Sequence, residues 1–175
     1  MSMRIDNFKQ ALRNGGARPN LFEVTGSFPG GGADVDQMKF LIKAASIPAA
    51  TVGTIEVPYR GRQLKIAGDR TFEAWELTVI NTNDFALRNA FEAWSEIVNG
   101  LASNESAVSL DDYYQDWTVK QLDRSGKVAE TYNFVGCYPE SVGAIDLSHE
   151  SGDTIEEFPV TLQYQYWTHT GVTSR

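Results

Sequence analysis

Apolar residues in this chain recur at every second position through most of its length, and that period decides the class of fold. Trp75, Leu77 and Val79 alternate with Glu76 and Thr78. Val160, Leu162, Tyr164 and Tyr166 alternate with Thr161, Gln163 and Gln165. In Gln37 to Ala45, Met38, Phe40 and Ile42 alternate with Lys39 and Lys43. A side-chain period of two belongs to a strand with one covered face. The same reading predicts strands at Leu21 to Ser27, Thr54 to Val57, Gln63 to Ala67, Asp116 to Leu122 and Val128 to Gly136. Asp123-Arg124-Ser125-Gly126 and Pro58-Tyr59-Arg60-Gly61 each join two such runs and read as hairpin loops. Phe28-Pro29-Gly30-Gly31-Gly32 reads as a flexible connector.

One segment changes period. Between Phe85 and Leu101, the residues Leu87, Ala90, Phe91, Trp94, Ile97, Val98 and Leu101 fall on one stripe at helical spacing. Asn83 or Asp84 is placed to cap its start and Gly100 to end it. This predicts a single amphipathic helix laid on a sheet, with Phe91 and Trp94 in the core. Antiparallel strands and one packed helix make a mainly β domain. No linker, repeat or change of composition divides residues 1–175. Residues 1–16 read as an N-terminal arm, with Ile5, Phe8 and Leu12 at the spacing of a short docking helix, and residues 168–175 as a flexible tail.

Charge narrows the function classes. The chain has 15 Lys and Arg against 23 Asp and Glu, a net charge of -8. That argues against general nucleic-acid binding, which draws most of its affinity from basic surface. It leaves open proximity to DNA without adhesion. The single cysteine, Cys137, has no partner for an internal disulfide and lies in an apolar run, so it reads as a buried thiol. No apolar stretch approaches the roughly 20 residues of a membrane span, and the first residues have no apolar central run of a signal peptide. The expectation is a chain made and used in solution, with no membrane binding.

Chemical motifs are weak. Asp146, Ser148 and His149 supply the residue types of a hydrolase triad, but no nucleophile-elbow glycine pattern accompanies them. Gly30 to Gly32 is not followed by the Lys-Ser or Lys-Thr of a phosphate loop. Asp111, Asp112 and Asp116 lack the central glycine of a calcium loop. With Tyr113, Tyr114 and Trp117 interleaved they read as a solvated loop, or else as a carbohydrate or partner surface. No catalytic, cofactor or metal site is expected. The segment Ala67-Gly68-Asp69-Arg70-Thr71-Phe72 with Trp75 is more specific. Gly68 permits irregular backbone, Asp69 and Arg70 can bond within a tight connection or across a subunit contact, and Phe72 and Trp75 anchor the next strand.

Several stretches, in order, resemble the tail tube proteins of T4-like contractile phages. They are Ala17-Arg18-Pro19-Asn20-Leu21-Phe22, Ile47-Pro48-Ala49, and Ile66-Ala67-Gly68-Asp69-Arg70-Thr71-Phe72 with Trp75 and Thr78-Val79. They continue through Phe91 and Trp94, Tyr138-Pro139, Val142-Gly143, Phe158, Val160-Thr161 and Tyr166-Trp167. The Phe28 to Gly32 connector and the tail after Trp167 depart from the pattern. The resemblance implies a fold of two antiparallel sheets, a β-sandwich or small barrel, with one flanking α-helix. It implies a virion structural protein and no enzyme. Subunits would form hexameric rings stacked into an inner tail tube, with sheath, baseplate, ruler and terminator proteins as partners. Double-stranded DNA would pass through unbound, and the protein would be made in the host cytoplasm and end in the virion tail. A headless contractile injection device or type VI-like secretion tube is the alternative within that class. A small β-domain hydrolase or carbohydrate-binding module is the alternative outside it.

Two further expectations concern surfaces. Val52 to Arg70 reads as a long hairpin with a local excess of base: Arg60, Arg62, Lys65 and Arg70 beside Asp69. Either it is simply solvated, or it reaches a neighbouring ring and meets acidic surface there. A conduit for DNA calls for an acidic or neutral wall, because a basic one would hold phosphates. Glu73, Glu76, Asp116 and Glu130 are the candidate lumen residues.

Overall fold

The computed structural model describes residues 5–12, 16–31, 35–150 and 152–170. Its elements are α1 (Ile5–Ala11), β1 (Phe22–Gly26), α2 (Val35–Leu41), β2 (Ile42–Ala45), β3 (Ala50–Tyr59), β4 (Arg62–Phe72), β5 (Trp75–Ile80), α3 (Ala86–Val98), a 3-10 turn at Leu110–Asp112, β6 (Gln115–Leu122), β7 (Val128–Val142), β8 (Glu157–Gln163) and β9 (Tyr166–His169).

Six strands follow the path β1-β6-β7-β8-β5-β2, a seventh, β9, joins β7 off that path, and every pairing is antiparallel. The long strand β7 belongs to two layers. Its first part pairs with β6 and β9, and its last part, from Tyr138, pairs with β8. Gly136 sits at the change of layer with φ 65°, a left-handed conformation that glycine adopts without a Cβ clash. The result is the expected mainly β sandwich, with α3 against β7.

Alternation places the core. Trp75, Leu77 and Val79 of β5, Phe158, Val160 and Leu162 of β8, and Trp117 and Val119 of β6 are buried. From α3 come Leu87, Ala90, Phe91 and Trp94. Trp75 stacks on Phe134 at 4.2 Å between ring centres, and Trp94 stacks on Trp117 at 6.0 Å. Each of the three fully buried indoles donates its N–H to a backbone carbonyl: Trp75 to Ser46, Trp94 to Tyr113 and Trp117 to Ser27. An unpaired buried indole N–H would cost about 1–3 kcal/mol. Phe72 is only partly buried and meets Tyr164 edge-on.

The structure corrects several sequence expectations. Gln37 to Ala45 is not one strand: helix α2 runs to Leu41 and only Ile42–Ala45 is extended. Met38 and Ile42 are both buried and four residues apart, a spacing that one helical turn also produces, while Phe40 between them is exposed. The Phe28 to Gly32 connector is not merely flexible. Phe28 is buried edge-on against Phe91, Trp94 and Trp117. In α3 the N-cap is Phe85 itself, at φ 53°, with no side-chain cap. Asp84 contributes by accepting from the Ala86 amide. The helix stops at Val98, Asn99 turns extended, and Gly100 lies beyond it. Ile97 and Leu101, placed on the buried stripe by periodicity, are exposed. Val160 to Tyr166 is broken after Gln163, because the Gln165 amide turns to the Val135 carbonyl and starts β9. Thr168 and His169 therefore belong to a paired strand and not to a tail, while residues 171–175 lie outside the described residues. Gly68, Asp69 and Arg70 are inside β4, not in a connection.

Candidate functional site

The hairpin β3–β4 stands apart from the sandwich. Among the described residues its two strands pair with each other and with no other strand. Its turn is two residues long, with Arg60 at φ 47° and Gly61 at φ 81° between the paired Tyr59 and Arg62. Positive φ at both positions is the turn whose twist matches that of the strands it joins. Near the base the register shifts between Val52 and Thr54. There Gly68 packs against Gly53 so closely that a Cβ on it would sit 3.3 Å from the Gly53 carbonyl. At the root, the Glu73 amide donates to the Ala49 carbonyl.

Pairing sorts the side chains by face. Ile55 lies opposite Ile66, Val57 opposite Leu64 and Tyr59 opposite Arg62, so these share one face. Thr54 with Ala67, Glu56 with Lys65 and Pro58 with Gln63 occupy the other. The apolar face is uncovered: Ile55 is 54% exposed, Leu64 59% and Ile66 47%. From residue 51 to 71 all are exposed except the half-buried Gly68. A lone two-stranded ribbon is marginal in water, and contiguous exposed apolar patches are where proteins meet other molecules.

The hairpin also stands apart in charge. Residues 50–72 hold Arg60, Arg62, Lys65 and Arg70 against Glu56 and Asp69, a net of +2, which leaves the rest of the chain at -10. Lys65 pairs loosely with Glu56 at 3.7 Å, and the Arg60 guanidinium lies 5.4 Å over the Tyr59 ring. Among the described residues no salt bridge engages Arg60, Arg62 or Arg70. The other open features are sheet edges. β1 and β9 end one layer, and β2 and the last part of β7 end the other. Unpaired edges are templates for pairing with another chain.

The four candidate lumen residues do not share a face. Glu76 points outward from β5, opposite Thr161. Asp116 points outward from β6, in the other layer, and accepts from the Gly136 amide at 3.0 Å. Glu73 is exposed between β4 and β5. Glu130 lies beside the end of β9, where its carboxylate accepts from the amides of Thr131 and Thr170, each at 3.1 Å. These contacts, the Thr170 side chain foremost, hold its pKa below the ordinary carboxylate value. The outer faces of the two layers point away from one another, so Glu76 and Asp116 lie on different surfaces.

Little else suggests chemistry. The Ser148 hydroxyl accepts from the Glu150 amide within a local turn. Asp112 closes a capping box with Ser109. No group of three metal-ligating side chains occurs among the described residues. Burial pushes the Cys137 thiol up to about 12, with Asp116 adding to the effect, which disfavours the thiolate. An open pocket beside Asp111, Tyr114 and Asp116 has two of its polar groups engaged inside the fold: Gln165 donates to the Tyr114 hydroxyl, and Asp116 accepts from the Gly136 amide. Sequence reasoning located the hairpin and its bases but missed its bare apolar face. The available signal was two alternating runs with no third strand beside them.

Comparison with known proteins agrees with an assembly role. The profile of a family described as phage tail tube protein matches residues 17–170. The tail tube protein gp19 of Enterobacteria phage T4 is 34% identical over 167 residues, 94% of this chain and 99% of that one. The tail tube protein of Serratia phage KSP90 is 32% identical over 165 residues, 91% and 93% of the two chains. Among solved structures, the sheath–tube complex of an extracellular contractile injection system in its extended state contains a chain with TM-score 0.63 and 15% identity, covering 97% of this chain and 98% of that one. A chain of the anti-feeding prophage baseplate gives TM-score 0.66 at 13% identity, covering 87% and 94%. At those identities the structures speak for the fold alone.

Proposed function

The chain belongs to the phage tail tube protein family, and from that premise we propose that it is the structural subunit of the inner tube of a contractile phage tail, built as hexameric rings stacked around a channel for DNA. The observation that carries the assembly is the bare β3–β4 hairpin. A closed ring needs two different surfaces that meet at a fixed rotation, and a second pair, top against bottom, does not close and grows a filament. The open edges of the two layers supply the first pair. The hairpin, about 30 Å long at about 3.3 Å per strand residue, supplies one half of the second. Its net charge of +2 suits an otherwise acidic neighbour, which steers the approach and sets the register. The subunit is no enzyme in this reading. Sheath, baseplate, ruler and terminator proteins are its partners in the virion tail, after synthesis in the host cytoplasm. The 32–34% identity to phage proteins favours the phage tail over a headless device.

The channel wall is the polar outer face of one layer. Glu76 marks one such face. Asp116, with Thr118 bonded to Asn133, marks the other. Purified protein should give hexamers in mass photometry and tubes of constant width in negative stain. A chain that stays monomeric at high concentration under tube-forming conditions of its relatives would refute the assembly. Glu76→Lys and Asp116→Lys, made separately, identify the wall: only one should make tubes retain short duplex DNA.

A further inference from the structure

We infer that the hairpin's receptor is the connection between α3 and β6 of a subunit in the adjoining ring, an inference that rests on the stacking role just given to the hairpin. A homopolymer interface of this kind needs both halves on one chain. The hairpin half is apolar and basic: Ile55, Val57, Leu64 and Ile66 beside Arg60 and Arg62. Two other stretches combine exposed apolar side chains with the opposite sign. One, the connection between β7 and β8, sets Leu147 and Ile155 beside Asp146, Glu150 and Asp153, but it also holds His149, and its Glu156 and Glu157 are already engaged by Asn81 and Lys43. The other has no base at all. From Asn89 to Val119 the chain has six carboxylates, Glu92, Glu96, Glu105, Asp111, Asp112 and Asp116, and no Lys, Arg or His. Within it Leu101 is 92% exposed, Val108 fully exposed and Leu110 57% exposed.

These apolar side chains do no work in their own core, yet the segment that bears them is shaped in advance. The Glu96 carboxylate accepts from the Leu101 amide, at 3.1 and 3.2 Å to its two oxygens. Asn99 bridges to Ser106, and the Gly100 amide donates to the Glu105 carbonyl. Ser109 and Asp112 cap the 3-10 turn. A surface held in place this way loses little freedom on binding. The remaining exposed apolar features lack the charge match. Helix α1 presents Ile5 and Phe8 but carries one acid, Asp6, and one base, Lys9. The outer sheet faces are dominated by threonine and mixed charge.

The test is a charge exchange within the full chain. Arg60→Glu with Arg62→Glu should slow tube elongation about tenfold or more, and Glu105→Lys with Asp111→Lys should do the same. All four together should recover to within about threefold of the original rate, because the pair is restored with its signs reversed. Unchanged circular dichroism and denaturation midpoints keep folding out of the comparison. Wild-type growth of the Glu105 and Asp111 variant, or no recovery in the quadruple variant, overturns the receptor assignment while leaving the hairpin's own role standing. Wild-type growth of the Arg60 and Arg62 variant overturns that role instead. A Glu105 and Asp111 variant that grows normally but fails to bind sheath assigns the acidic face to the sheath and also overturns the inference. As a second measurement, Tyr59→Cys with Val108→Cys, oxidised in assembled tubes, should give a covalent ladder extending beyond six subunits. The buried Cys137 adds no background. No adduct, or a ladder ending at six, places the contact elsewhere.

Discussion

β5 and the hairpin β3–β4 are written in the same pattern and have opposite fates. In β5, Trp75, Leu77 and Val79 alternate with Glu76 and Thr78, and the three apolar side chains are buried. In β3 and β4, Ile55, Val57, Leu64 and Ile66 alternate just as strictly, and all four stand in water. What differs is the layer opposite. β5 has β8 and β2 at its sides, and Trp117 and Phe134 pack on its Trp75. Among the described residues nothing lies over the hairpin's apolar face. Alternation therefore declares that a face is to be covered, and does not say by which molecule.

The largest effects should separate the two regions cleanly. Trp75→Ala removes a fully buried indole that stacks on Phe134 and should cost about 3–5 kcal/mol of stability. Denaturant unfolding of unassembled protein would measure it. Ile55→Ser with Leu64→Ser should move the same midpoint by about 0.5 kcal/mol or less, as for exposed positions, and yet abolish tubes in negative stain. A hairpin variant as unstable as Trp75→Ala would erase the distinction between core and contact arm.

Two glycines sharpen the same contrast at smaller cost. A Cβ at Gly26 would stand 2.3 Å from the Trp117 ring, so Gly26→Val overfills the core and should lower global stability by about 1–3 kcal/mol. Gly61 has open space around it but needs φ 81°, so Gly61→Val stores about 1–2 kcal/mol of backbone strain in the turn alone. Hydrogen exchange should show faster opening confined to β3 and β4, with the global midpoint unmoved. Global loss in the Gly61 variant would mean that the hairpin supports the sandwich after all.

The smallest effect tests the edge of the sandwich. Glu130 has its pKa lowered from the ordinary 4.5 by the Thr170 side chain and by the amides of Thr131 and Thr170. A carboxylate with a depressed folded pKa contributes stability above the unfolded value and loses it as pH falls through the folded one. The end of β9 should accordingly loosen below about pH 4.5. Glu130→Gln should flatten that acid limb and leave neutral-pH assembly nearly unchanged. An identical acid limb in the variant would show that the carboxylate does not latch β9.

What was legible in the chain alone is what local chemistry dictates. The period of two gave strands, the change of period gave α3, and Arg60-Gly61 and Asp123-Arg124-Ser125-Gly126 gave hairpin turns, because side-chain spacing and backbone φ are properties of neighbours in sequence. The ordered stretches from Ala17 to Trp167 gave the family. Short segments defeated the same reasoning. Met38 and Ile42 satisfy a strand and a helical turn equally, and only packing chose α2. The candidate lumen residues were chosen by charge and split between two layers when the strand order was known.

Burial was decided by the tertiary structure, because it depends on which distant surfaces meet. Phe28, in a run of glycine and proline, became a wedge among Phe91, Trp94 and Trp117. Leu101, at the end of an apolar stripe, was left in water because α3 stops at Val98. The sequence by itself determined which residues want cover and, outside Gln37 to Ala45 and the break after Gln163, which strands they occupy. Only the fold determined that the sandwich provides that cover for β5 while no other described residue provides it for the hairpin, since desolvation is a property of opposed surfaces and not of any one segment.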